Sequence, residues 1–289
     1  MKKHKICKIL LVILAIFLCV AFYELLGICV AYKKQPEVSN TTKKETKNGS
    51  WNECSENTER AVIIEKNPEA LLQRVRLIKN AKKEIILSTF AFQSDESGKL
   101  ILGALHDAAD RGVHIRLLVD GMESWIDMEG NPYFYGLSSH ENVEIKLYNK
   151  ANPLKPWKMM GRMHDKYLIA DGKRYILGGR NTYNYFLGDF PGHKNYDRDV
   201  LVVCDEPEKE NSVNQLLEYF ETIWEQEDSG YFHDNKKLAN RKSVKNAVLE
   251  LQNGYQKYFE ENKERICDTD YTDETFETEK ITLVSNPIH

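Results

Sequence analysis

The sequence is poor in cysteine where cysteine would count, and it carries no surplus of positive charge. Of its 6 cysteines, Cys7, Cys19 and Cys29 lie in or beside an apolar N-terminal run, and Cys54, Cys204 and Cys267 lie outside it. No pair has CxxC spacing, which argues against a zinc site or a full disulfide framework and leaves three free thiols or a single bridge. The formal net charge of −4 gives no global case for a polyanionic partner, so any attraction for phosphate must come from a local patch. No His/Cys/Asp/Glu cluster has ligand spacing, so neither a metal nor another cofactor is expected. Aliphatic residues are almost missing from 35–58, which excludes that stretch from any core.

What is present begins with a membrane signal. Lys2, Lys3, Lys5 and Lys8 precede an apolar run over 9–32 whose one charge is Glu24. A helix rising 1.5 Å per residue over that run can cross a hydrocarbon core of about 30 Å. The run is longer than the apolar part of a signal peptide and lacks a small-residue cleavage site before Lys33. Residues 1–34 are therefore expected to be an uncleaved single-pass anchor, followed by a flexible polar linker over 35–58. The lysine-rich head favours a cytoplasmic N-terminus and an extracytoplasmic domain, with Lys33, Lys34, Lys43, Lys44 and Lys47 as counterweight. Glu24 lies near one end of the run, where it either reaches the interface or serves a function.

The rest alternates strand and helix patterns. Strands are expected at 61–65, 84–92, 113–119, 143–148, 164–170, 174–177 and 199–204, and helices at 68–83, 98–111, 211–225 and 237–264. Near-continuous apolar strands separated by helices predict an α/β fold with a mixed, mainly parallel sheet covered on both faces. Asp171-Gly172 between two apolar runs predicts a hairpin. The divisions expected are a domain over 59–235 and a helical extension with an acidic loop over 236–289. A strand-like 281–285 followed by Asn-Pro resembles the start of the domain, where AVIIE leads to Asn67-Pro68, and reads as the opening of a truncated second repeat.

The chemistry concentrates in HDKYLIADGKRYILGGRN, residues 164–181. His164 and Lys166 are two apart, so on a strand both project from one face. An imidazole can attack phosphorus or donate a proton to a leaving oxygen, and an ammonium can neutralise the non-bridging oxygens. Asn181 at the end of the returning strand can donate to the same phosphate, and Gly178 and Gly179 would let a phosphate approach the backbone. Lys155, Lys158, Arg162, Arg180 and Lys194 surround this stretch and read either as a basic patch or as solvated loop charges. On the same loop, Pro153, Trp157, Met159 and Met160 either dip into a membrane interface or pack locally.

This pattern, HxKxxxxD followed six residues later by Gly-Gly-x-Asn, resembles the signature of the phospholipase D superfamily in its bacterial cardiolipin synthase-like branch. The likeness extends over roughly 60–205, including STFAF and the VDG at 119–121. The resemblance implies a catalytic site of His164, Lys166 and Asp171, with His164 the nucleophile of a phosphohistidine intermediate and Asp171 mainly structural. It implies phosphate binding by Lys166, Asn181, Gly178 and Gly179, and an acidic residue, Asp197 or Asp199, that orients the histidine. It also implies a metal-free phosphodiesterase or phosphatidyltransferase acting on membrane phospholipid.

The chain departs from that family in holding one HxK motif where a complete site uses two. Either a second copy of the chain or a missing second half would complete the site. A single-motif nuclease acting as a homodimer and a non-catalytic tethered half-domain are the rival readings. The negative net charge and the lack of a basic stripe argue against nucleic acid as partner.

Overall fold

The structure is a computed structural model that describes residues 2–33, 59–158, 161–204, 211–233, 235–279 and 281–285. The linker at 35–58 with Cys54, Met159, Met160 and the terminal Asn286-Pro287 lie outside these described residues.

Helix α1 spans Lys2–Lys33. Within His4–Ala31 an 18-residue stretch reaches a mean hydropathy of 2.9, and the helix is long and apolar enough to cross a membrane. The domain then alternates through β1 (Glu59–Ile64), α2 (Asn67–Asn80), β2 (Glu84–Thr89), α3 (Glu96–Asp110), β3 (His114–Asp120), α4 (Gly121–Asp127), α5 (Pro132–Ser138) and β4 (Val143–Tyr148). It continues with β5 (Lys166–Ala170), β6 (Arg174–Gly178), β7 (Asp199–Cys204), α6 (Ser212–Trp224), β8 (Ser229–Tyr231), α7 (Lys242–Glu261), α8 (Lys263–Cys267) and β9 (Phe276–Glu277).

Local chemistry accounts for several of these boundaries. Proline opens α2 and α5, where its fixed φ and missing N–H cost nothing. Asp95 caps α3 by accepting from the Gly98 N–H at 3.1 Å. Asp171 and Gly172 adopt φ of 54° and 62°, and the Lys173 N–H donates to the Ala170 carbonyl at 3.1 Å. That is the tight hairpin expected of Asp-Gly, with both central residues left-handed.

One sheet runs in the order β8-β4-β3-β2-β5-β6-β7-β1-β9. Mixed α/β architecture is as expected, but the sheet is not mainly parallel. Among the described residues only the β2–β3 and β3–β4 ladders are parallel, and the remaining ladders are antiparallel. The strand–helix–strand rhythm of the first half dictates crossovers, whereas the second half returns through a hairpin and long loops.

Alternate residues of the central strands feed two cores. Leu87, Leu117, Leu168 and Leu201 pack with α2, α3, α5 and α7 on one side. Ile86, Leu118, Ile169 and Val202 pack with α6 on the other. Helix α7, in the expected helical extension, packs into the first core, where Val244, Leu251, Tyr255 and Phe259 are buried. Residues 281–285 form no strand. Ile281 and Leu283 pack against the α6 core, and the Leu283 N–H donates to Gln215 at 2.8 Å. The acidic loop instead supplies β9, which pairs with Arg60 and Ala61.

Candidate functional site

The site lies at one edge of the sheet, where β2, β3 and β6 end and β5 and β7 begin. Crevices at the carboxyl ends of parallel strands are common ligand sites in α/β proteins. Thr89 pairs with Lys166 across the β2–β5 ladder, so the residue after Thr89 leans over the start of β5. That residue is Phe90, and it organises the cations around it. The His164 ring meets Phe90 edge-on at 4.7 Å between centroids. Lys166 Nζ lies 5.2 Å and the Arg162 guanidinium 4.9 Å from the same ring centre. An aromatic face attracts cations through its quadrupole, so one ring gathers two cationic side chains beside the imidazole.

His164 and Lys166 thus converge as their spacing predicts, although β5 begins only at Lys166. They differ in access: His164 is exposed and Lys166 is buried at 5%. Lys166 Nζ donates to the His164 carbonyl, which ties the ammonium to the backbone carrying the imidazole. The intervening Asp165 turns to the other face and accepts from the Tyr219 hydroxyl at 2.8 Å. Burial, then the neighbouring Lys166 charge, holds the His164 pKa below its ordinary value, against the pull of Asp165 and Asp120. Burial also pulls Lys166 down to about 8, opposed by the charges of Asp165 and Asp197. At neutral pH the mouth therefore offers an unprotonated imidazole beside an ammonium that remains charged.

Asn181 is buried at 8%, where the chain leaving β6 runs beside the chain leaving β2. Its Oδ1 accepts from the Ala91 N–H at 3.2 Å. With that oxygen engaged, the NH2 end of the amide is the donor end.

Other expected site residues stand elsewhere. Asp171 sits at the opposite end of β5 and is not part of the mouth. Its carboxylate accepts backbone N–H bonds from Lys82 at 2.9 Å, Lys83 at 2.7 Å and Glu84 at 3.0 Å, fixing the entry of β2. Asp199 does not orient His164. It is held by Arg74 at 2.9 Å and Arg180 at 3.3 Å, and all three side chains are nearly or wholly inaccessible. Gly178 and Gly179 make room for protein rather than for a ligand. A Cβ on Gly178 would lie 2.0 Å from Asp199 Oδ1, and one on Gly179 would lie 2.0 Å from Asp197 Oδ2. Asp197 is exposed and acts on Lys166.

The basic cluster read from the sequence is mostly spent on internal partners. Lys158 pairs with Asp228 at 2.6 Å, Arg162 with Asp120 at 2.8 Å and Glu123 at 2.9 Å, and Lys194 donates to the Asn184 carbonyl at 2.8 Å. Arg180 is buried against Asn67 and the Ile64 and Glu65 carbonyls. Lys155 remains exposed.

Two contributors escaped the sequence reading. Phe90 is one, and the EIILSTF run gave no sign that its last ring leaves the core. Asp120 is the other. It is 1% exposed, caps α4 through the Met122 and Glu123 N–H groups, and accepts from Arg162 and from the Met163 N–H at 3.1 Å. It thereby fixes the segment that delivers His164. An aspartate ending a strand before a glycine and a helix was its signal.

Comparison with known proteins gives a consistent answer. The family described as cardiolipin synthase, PLD-like domain, matches residues 74–224. Cardiolipin synthase C of Escherichia coli K12 is 29% identical over 171 residues, covering 54% of this chain. A Helicobacter pylori J99 protein described only as uncharacterized is 30% identical over 212 residues, covering 68% of this chain. The chain spans 34% and 39% of the lengths of these two relatives. The crystal structure of phosphatidylserine synthase from Haemophilus influenzae Rd KW20 shares the fold. It has a TM-score of 0.50 and 17% identity over 76% of this chain and 48% of that one.

Proposed function

The chain belongs to the phospholipase D superfamily, and from that membership we propose that it is a phosphatidyl-transferring half-site acting on membrane phospholipid. The observation that carries this reading is the convergence of the exposed His164 ring and the buried Lys166 ammonium on the Phe90 ring. The His164 imidazole attacks the phosphorus of the phosphodiester, a P–N bond forms, and the bond to the headgroup oxygen breaks. That oxygen takes a proton from a general acid. An acceptor hydroxyl, of water or of a lipid alcohol, then loses its proton to the same group and displaces His164, closing the cycle. Lys166 neutralises the phosphoryl oxygens as charge builds there, and the Asn181 amide donates to them. The charges of Asp165 and Asp197 favour the ammonium form of Lys166 against its burial.

The general acid comes from a second HxK motif facing the first. A second copy of this chain, or a further half of a longer protein, supplies it. Helix α1 holds the site at a bilayer, with the domain on the extracytoplasmic side as the lysine-rich head favours.

The test uses the full chain in mixed lipid–detergent micelles, with labelled phospholipid and with labelled single-stranded DNA, comparing wild type and His164→Ala. Release or transfer of the labelled phosphatidyl group by wild type and its loss in the variant is the expected result. DNA cleavage without lipid turnover would replace this reading by a nuclease. Turnover of neither, with a monomeric mass, would leave a tethered non-catalytic domain.

A further inference from the structure

The loop from 149 to 163 joins the membrane helix to the mouth. At its far end Met163 and His164 enter the site. Midway, the Tyr23 hydroxyl of α1 donates to the Leu154 carbonyl at 2.8 Å. One helical turn later the buried Gly27 packs on this loop. A Cβ there would lie 2.3 Å from Pro156 Cγ, so a glycine is what lets helix and loop touch. Tyr23, Glu24, Gly27 and Ile28 share one helical face by their spacing. The contact falls well before the end of α1 at Lys33.

That position sets the depth of the helix. From Ile9, the first residue past Lys8, to Glu24, at 1.5 Å per residue, the helix covers about 24 Å, most of a hydrocarbon thickness. Tyr23 and Glu24 then stand at the boundary, where a tyrosine hydroxyl and a carboxylate are tolerated. The turns that follow, up to Lys33, leave the hydrocarbon as a strut against the domain. The loop touching Tyr23 must lie at the same level.

Its exposed side chains suit that level. Leu154 is 78% and Trp157 45% exposed, with the exposed Lys155 between them. A second exposed apolar pair, Trp125 at 66% and Ile126 at 65%, lies on α4. The α4 helix starts at the same Asp120 that accepts from Arg162 and Met163 on the loop. Apolar side chains mixed with tryptophan and lysine are the composition of an interfacial segment.

We infer that Leu154 and Trp157, together with Trp125 and Ile126, form a rim that enters the headgroup–acyl boundary of the bilayer crossed by α1, so that His164 opens directly onto the lipid surface. This deepens the phospholipid reading and rests on it for its purpose, but its test reads contact rather than turnover.

A benzophenone photo-crosslinking residue is placed at Ile126, at Leu154 and, as control, at Lys173. Lys173 is exposed on the β5–β6 hairpin, at the opposite end of β5 from His164. The full chain is reconstituted into phosphatidylethanolamine–phosphatidylglycerol vesicles and irradiated. Lipid adducts at 126 and 154 at least fivefold above those at 173 are expected. Adduct levels at 126 equal to the control, or crosslinks from 126 to a second copy of the chain instead of lipid, overturn the inference. Gly27→Leu gives a second readout, since it parts helix from loop without touching the mouth. It is expected to lower the adduct yield at 154 severalfold, and an unchanged yield overturns the strut. An inactive protein that still labels at 126 and 154 would sink the enzymatic reading while leaving the rim intact.

Discussion

The two ends of β5 carry one motif and do opposite work. At the mouth, Lys166 is buried with fewer charge partners than an ammonium prefers, and its pKa falls to about 8. At the hairpin, Asp171 is saturated by three successive backbone N–H donors. A charged group held short of full compensation stays available to a ligand, whereas a saturated one stabilises the fold. The spacing HxKxxxxD therefore spells a strand with one end proposed for chemistry and one end that fixes the fold.

The sharpest attempt to break that comparison is His164→Ala. Turnover of labelled phospholipid should fall by about 10^4-fold, as for loss of a covalent nucleophile, with the melting temperature unmoved. A fall of less than tenfold would remove the chemical end. Asp199→Asn tests whether nearness to the mouth is enough to make an acid functional. It leaves Arg74 and Arg180 buried without their counter-charge, and should cost about 3–5 kcal/mol in urea unfolding. An unaltered midpoint with lost turnover would instead restore Asp199 to the site.

Lys166→Met should lower kcat by about 10^2- to 10^3-fold with little change in KM. The wild-type pH profile gives the matching sign. Lys166 is cationic below about 8, so the rate should decline as pH rises through that value. His164 must be unprotonated, and its pKa is depressed, so the acid limb should lie below the ordinary histidine range. A rate still climbing at pH 9 would contradict the role of the ammonium. The smallest effect belongs to Asp171→Ala. It should cost about 2 kcal/mol of stability through lost hydrogen bonds and leave the kcat of the folded fraction within about twofold of wild type.

Much of this was legible in the sequence, and the failures have physical reasons. The apolar runs and Asp-Gly located strands and hairpin because burial and positive φ are local demands. Strand direction was not local: the mainly parallel expectation extended the crossovers of β2, β3 and β4 to strands joined by loops. Ile281 and Leu283 do alternate inward, but onto α6, with no strand beside them, so alternation alone misread them. Asp197 and Asp199 share a parity, and only the buried arginines distinguish them. Phe90 was invisible because an aromatic at a strand end looks like core until the cations around it are placed.

The sheet finishes on both flanks in stubs, the three residues of Ser229–Tyr231 and the two of Phe276–Glu277. Such short rims present few open amide and carbonyl groups, which discourages growth by strand addition. Two copies seeking each other would gain little by meeting side to side. The proposed sharing of one phosphate between two histidines would call for an approach mouth to mouth instead.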